Sequence, residues 1–463
     1  MTVFGYYLKP VELNLLHFSK PAALNLIKLA APLAFVNACD IGMFTVAMMV
    51  AGSFSVQELA AFGFTMTLLI STVIALFMLL SAIIPITANL RGTGDLPSEL
   101  PSLFRSALVV VSVLSIIAVF ALTLLEALLP YITTSAEISS LVKRYLRILI
   151  WIVPLDLLAC SIIFISNGAG RTFWPAAVSA GAFITMVLVT WLIALGNAGF
   201  VALGSAGIAY SFFFGILAKC VLSILLMLQS DFRSLTFTNL TGSLEAPYVR
   251  RIFSVGIPIG LNEGSFFLFT ALLVVFIASM GAEQLAVHNV ALNVFHLSHI
   301  LSVGFMTATS ILVGEALGSR DLVGLKSVRR TSHYVVLMVS LPMLLTLYFF
   351  RDEIAVAYSI DGDTKTLWLE LCLCILLLKL LDDIAKAGQG FLVGLERTRV
   401  VFLGRFIGLW VVAMPAGYVL SAHYGVSGYW TGWIMGTALI LIWFVLAGST
   451  YVKHQKSKWV IEE

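Results

Sequence analysis

The sequence predicts an all-α polytopic membrane protein, with twelve transmembrane helices in two pseudo-symmetric six-helix bundles around a central cleft. Three observations carry this prediction. Of 463 residues, 60% are hydrophobic and only 11% charged, against roughly 25% charged in soluble domains, which excludes a soluble globule. Twelve apolar stretches each approach or exceed the roughly 20 residues needed to cross a bilayer core of about 30 Å. The second six repeat the first at an offset of 226 residues, as from Pro32 to Pro258.

Residues 1–26 interleave aromatic and leucine side chains with Glu12, His17 and Lys20. No compact apolar run ends there in a cleavage site, so they predict an amphipathic interfacial helix and not a signal peptide. Spans are then expected at 27–51, 59–88, 104–130, 141–166, 175–196, 203–228, 253–279, 285–315, 331–350, 366–392, 400–421 and 427–451. The first six form an N-terminal bundle, 27–228, and the last six a C-terminal bundle, 253–451. Between them the polar stretch 229–252 is a cytoplasmic linker, and 452–463 is a cytoplasmic tail.

The repeat holds in one ungapped register. Leu59-Ala60 recurs as Leu285-Ala286, Gly92 as Gly318, Asp95 as Asp321, Asp156 as Asp382, Gly168 as Gly394, and Arg171-Thr172 as Arg397-Thr398. Six spans per half is an even number, so both halves enter the membrane from the same face, related by an axis along its normal. Basic residues set the orientation: with both termini cytoplasmic, seventeen Lys and Arg fall inside and five outside, the exceptions being Lys143, Arg144, Arg147, Arg351 and Lys365. The sequon at Asn239 then faces inward, and glycosylation is not expected.

The net charge of +3 is too small and scattered for nucleic-acid binding. Five cysteines, all in apolar runs, suit packing better than disulfides. No phosphate-binding loop occurs, so ATP is not the energy source. No cofactor or metal is expected, since four zinc ligands at matched spacing are not found.

Ionisable residues inside the spans each cost at least ~2.5 kcal/mol and need a reason. Asp40, one turn after Asn37, and Asp156 stand in the first half; Glu263, beside Asn262 and five residues after Pro258, stands in the second. Lys379, Asp382, Asp383 and Lys386 share one face of the tenth span, with Lys379–Asp383 and Asp382–Lys386 spaced i, i+4 to form ion pairs. Asp382, Glu263, Asp40, Asp383 and Asp156 are thus candidate cation or proton coupling residues, supported by Asn37, Lys379 and Lys386. Asn289, Asn293 and His296 make a polar stripe suited to interhelical hydrogen bonds, with Asn289 and Asn293 as further support. Lys219 and Glu315, nearer span ends, read as ordinary snorkelling residues.

Several segments carry a resemblance to a known family. They are Ala51-Gly52 followed by Glu58-Leu59-Ala60-Ala61, the run Gln284-Leu285-Ala286-Val287-His288-Asn289-Val290-Ala291-Leu292-Asn293, Val313-Gly314-Glu315-Ala316-Leu317-Gly318, and Gly390-Phe391-Leu392-Val393-Gly394 after Asp382. With them the chain resembles, along essentially its whole length, the multidrug and toxic compound extrusion (MATE) secondary transporters. The resemblance implies antiport, in which protons or sodium entering down their gradient drive an organic substrate out. It places Asp382 at the family's span-ten acid. The span-one acid is expected near Ala47 and the span-seven glutamate near Phe266, whereas this chain has Asp40 and Glu263; Met186 and Thr190 stand where span-five asparagines are usual.

The expected function is export of organic, amphiphilic or cationic compounds by proton antiport, sodium being second choice, from a monomer in the bacterial inner membrane. Its partners are a small-molecule substrate and membrane lipids. A lipid-linked substrate flippase and a dedicated natural-product exporter remain open. A polytopic membrane enzyme would need a membrane-level catalytic constellation that the sequence does not display.

Overall fold

The computed structural model describes residues 19–132, 136–227, 246–358, 360 and 362–462. The expectations for residues 1–18, most of the 229–252 linker and the Asn239 sequon lie outside the described residues. The protein is helical throughout what is described: α1 (Lys20–Phe54), α2 (Val56–Leu80), α3 (Ile83–Thr93), α4 (Leu96–Ile132), α5 (Ala136–Leu149), α6 (Ile152–Gly168), α7 (Phe173–Val189) and α8 (Gly204–Leu226), then α9 (Ala246–Ala278), α10 (Ala282–Gly318), α11 (Leu322–Phe349), the short α12 (Arg351–Ala357), α13 (Gly362–Gly394), α14 (Thr398–Phe406) and α15 (Met414–Glu462).

Local chemistry sets the boundaries. The Ser19 hydroxyl accepts from the Ala22 N–H at 3.4 Å, and Pro21 occupies the first turn, where its missing N–H costs nothing. The first helix therefore starts at Lys20, seven residues before the expected span. Both α1 and α9 continue through an internal proline, Pro32 and Pro258. The second span is built from α2 and α3 in succession, and the fourth from α5 and α6, which meet at a 42° bend.

By length and apolarity, nine helices among the described residues can cross a membrane, or ten with the bent pair. Two features separate this count from the twelve expected spans. Helix α13, 33 residues long, carries Lys379, Asp382, Asp383 and Lys386 within its apolar part. The segment Thr398–Gln455 is 58 residues long, about 87 Å if straight, but it folds at Gly425 (φ 55°, ψ −136°). Past the fold the two legs touch through glycines: a Cβ at Gly432 would lie 2.3 Å from the Gly417 nitrogen, and one at Gly436 2.3 Å from the Gly408 carbonyl oxygen.

The apolar core explains how the two halves of the chain meet. One buried cluster, around Phe62, Tyr145 and Met186, draws only on residues before Leu226. Another, around Phe269, Trp368, Trp430 and Trp433, draws only on residues after Ala246. Towards the end of the molecule that carries Gly92 and Gly318, the halves share a core in which Leu26, Leu33 and Ala88 pack with Phe305, Ile311 and Val335. There α3 and α10 cross with backbone on backbone: a Cβ at Gly92 would lie 2.1 Å from the Glu315 carbonyl oxygen, and one at Gly318 2.1 Å from that of Asn89. Arg91 pairs with Glu315 at 3.4 Å. Arg251 binds Glu396 and donates to Asn89 at 3.1 Å, closing this end.

Candidate functional site

In the first half, α1 brings Asp40, α6 brings Asp156 just beyond the 42° bend, and α8 brings Lys219. The lysine is 3% exposed, with its Nζ 3.0 Å from Asp156 Oδ1 and 3.4 Å from Asp40 Oδ1. The Cys160 thiol adds a contact to Asp156 at 3.6 Å. The snorkelling reading of Lys219 is therefore corrected. Its side chain runs sideways between packed helices to two carboxylates, because an unpaired ammonium buried there would cost several kcal/mol. Two acids against one base leave this cluster formally one negative charge in excess. Asn37 lies half-buried one turn before Asp40.

In the second half the tenth-span face divides. Lys379 and Asp383, both fully buried, form an ion pair. Ser340 of α11 donates to Asp383 at 2.5 Å, Ser302 of α10 donates to the same carboxylate, and Lys379 donates to Ser302 at 2.7 Å. Asp382 does not pair with Lys386 as the i, i+4 spacing led us to expect: its Oδ2 lies 3.2 Å from His299 Nδ1 of α10. Asp382 and Asp383 thus both reach α10, at His299 and Ser302. Lys386 is 3% exposed, with no carboxylate within ion-pair distance among the described residues.

Glu263 of α9 accepts from Asn262 Nδ2 at 2.7 Å and faces Arg405 of α14 at 3.5 Å. Arg405, 5% exposed, also donates to Gln389 at 3.3 Å and lies over the Phe266 ring, 4.7 Å from its centroid. The ring at Phe266, where the family resemblance expects a glutamate, thus supports the arginine that holds Glu263. Ala47, at the other expected acid position, is wholly buried in the apolar core of the first half. Met186 and Thr190 are buried, and the threonine hydroxyl donates to the Met186 carbonyl at 2.8 Å.

Asn289 and Asn293 stay apart from both clusters. They are exposed on α10, and Asn293 accepts from Tyr358 at 3.1 Å. Nearby residues of the same run serve the fold, with Gln284 accepting from the Val426 N–H at 2.9 Å beside the Gly425 turn and His288 accepting from Trp430 at 3.2 Å. Sequence reasoning dismissed Lys219 as a snorkelling residue and did not single out His299, Arg405, Ser302, Ser340 or Gln389 as site residues. Arg405 alone inside an apolar stretch was a signal by its cost; the serines carried none.

An all-helical chain with apolar helices of membrane-crossing length and charged side chains paired at their level is an integral membrane protein. It belongs to the MatE family: the family model matches residues 32–192 and again 258–419. Among curated relatives, multidrug resistance protein NorM of Vibrio vulnificus is 25% identical over 433 residues, covering 91% of this chain and 94% of that one. Multidrug resistance protein MdtK of Cronobacter sakazakii is 24% identical over 448 residues, covering 94% and 96%. Among solved structures, an outward-facing MATE family transporter of the MOP superfamily superposes with a TM-score of 0.84 at 17% identity, over 95% of this chain and all of that one.

Proposed function

We propose that this protein is a multidrug efflux transporter of the bacterial inner membrane, a monomer with cytoplasmic termini that exports organic amphiphilic or cationic compounds by proton antiport. The names of its relatives support efflux of drugs. Twelve crossings follow if the bent α5–α6 pair and α13 each count as one span and the two legs about Gly425 as two. The family model's two matches, starting at Pro32 and Pro258, favour two repeated bundles.

One observation carries the choice of ion: four of the five candidate acids face an ammonium or guanidinium group directly. Asp40 and Asp156 face Lys219, Glu263 faces Arg405 and Asp383 faces Lys379. A hard cation takes a shell of oxygens, which these ammonium and guanidinium groups repel, whereas a proton needs one acceptor. Each charge entering yields about 2.3 kcal/mol per 100 mV of membrane potential, enough for roughly a fifty-fold gradient of a substrate that itself moves no charge.

Efflux from proteoliposomes should collapse with a protonophore and persist without sodium; sodium dependence with indifference to the proton gradient overturns the reading. Asp382→Asn and Glu263→Gln should each abolish gradient-driven efflux while the protein still inserts. Wild-type transport in both would move the coupling site to Asp40 and Asp156. A panel of organic cations, a single natural product and a lipid-linked sugar, tested in the same vesicles, separates drug export from a dedicated exporter and from a flippase.

A further inference from the structure

Asp156 and Asp382 are separated by the same 226 residues that relate the two halves of the sequence, yet they face different bases. Asp156 meets the ammonium of Lys219, while Asp382 meets His299, an imidazole with a nitrogen that can accept or donate a proton. His299 Nδ1 and Asp382 Oδ2 stand 3.2 Å apart, and both are buried atoms with no hydrogen-bond partner. Buried polar atoms are rarely left so, and a site that must bind and release a proton is one place where they occur.

We infer that His299 is the proton relay of the second-half cluster, exchanging the coupling proton with Asp382. The inference rests on the proton-antiport reading. The step is a simple transfer: the proton on the Asp382 carboxyl passes to His299 Nδ1, the O–H bonding pair stays on Oδ2, and a proton leaves the imidazole for water on one side of the membrane. Loading from the other side reverses it.

Two other bases of the cluster are engaged. Lys379 is held by Asp383 and Ser302, and Arg405 by Glu263 and Gln389. The charged and titratable groups acting on His299 are His296 on its own helix, Lys379, Asp382 and Lys386 on α13 and Arg405 on α14, with Asp383 paired to Lys379 and Glu263 of α9 facing Arg405. Helix α11 offers Ser340, which bonds Asp383, and α1 meets α10 through Ala30 and Ala34 against Gly304. The Phe295 ring, 5.6 Å between centroids, covers one flank of the imidazole.

The test uses the full-length protein in proteoliposomes and detergent, with wild type, His299→Gln and His299→Asn. Both variants keep a hydrogen-bonding side chain but cannot titrate. Gradient-driven efflux of a fluorescent organic cation should fall at least tenfold in both, and its pH profile between 5.5 and 8.5 should flatten, while binding of the same cation changes less than threefold. In the smaller variant His299→Ala, added imidazole should restore part of the rate, which a merely structural role would not allow. A wild-type rate and pH profile in either folded substitution, or no rescue by imidazole, overturns the inference. Should wild type itself run on sodium, the proton-antiport reading fails instead, and the two failures are distinguishable.

Discussion

Lys219 shows how a single buried charge is made tolerable. Its ammonium is shared by Asp40 and Asp156, residues 116 positions apart on two helices, so removing it leaves two carboxylates facing each other. Breaking a buried pair on one side typically costs about 3–5 kcal/mol, and removing both sides costs less. Lys219→Met should therefore lower the melting temperature in detergent sharply, and Lys219→Met with Asp156→Asn should recover part of the loss. Equal melting of the single and double variants would mean that the triad carries little coupling. The acids themselves were legible in the sequence because a charge in an apolar run is conspicuous. Helical spacing also gave one partner correctly, Lys379 for Asp383, but it pairs Asp382 with Lys386, and only the packing of α13 against α10 brings Asp382 to His299.

At the scale of elements, the crossing of α3 and α10 depends on two missing side chains. Gly92 and Gly318 let each helix rest on the other's carbonyl, and a Cβ at Gly318 would lie 2.1 Å from the Asn89 oxygen. Gly318→Val forces the helices apart, and overpacking of this kind costs about 1–3 kcal/mol. The expected outcome is a lower unfolding midpoint with intact membrane insertion; an unchanged midpoint would show that the crossing can shift without strain. The α5 helix resolves a further puzzle of the sequence. Arg147 and Lys143, which run against the inside bias of positive charge, lie 2.9 Å and 4.0 Å from Glu126 of α4, so part of their charge is neutralised locally.

Across the whole molecule, the halves share polar ties and a core at the Gly92–Gly318 end, and Ile252, Val255 and Ile259 of α9 join a second cluster with α2 and α4, while two further cores each belong to one half. Arg251 to Asn89, Arg91 to Glu315 and Tyr248 to Glu99 are polar ties that join one half to the other. A carrier working by alternating access must part them, and a ligand or mutation shifts that balance only by what it contributes differently to the two states. Arg251→Ala, by removing a partly exposed tie, should favour the parted state by about 1 kcal/mol, roughly fivefold. Spin labels at Asp95→Cys and Val323→Cys report it as a longer distance component that grows in Arg251→Ala; an unchanged distribution would mean that the glycine crossing alone keeps this end shut.

The sequence by itself determined the membrane class, the succession of apolar helices and the acids that stand inside them, because hydropathy, helix length and the cost of a buried charge are properties of a segment alone. It also displayed the internal repeat, since identity at a fixed offset needs no coordinates. Apart from the Lys379–Asp383 pair, which helical spacing already gave, only the tertiary structure decided which base meets each acid, where Lys219 ends, and where the two halves are tied together. Those outcomes depend on how helices rotate and approach one another, and a turn of 100° about a helix axis, which no local pattern specifies, is enough to exchange one partner for another.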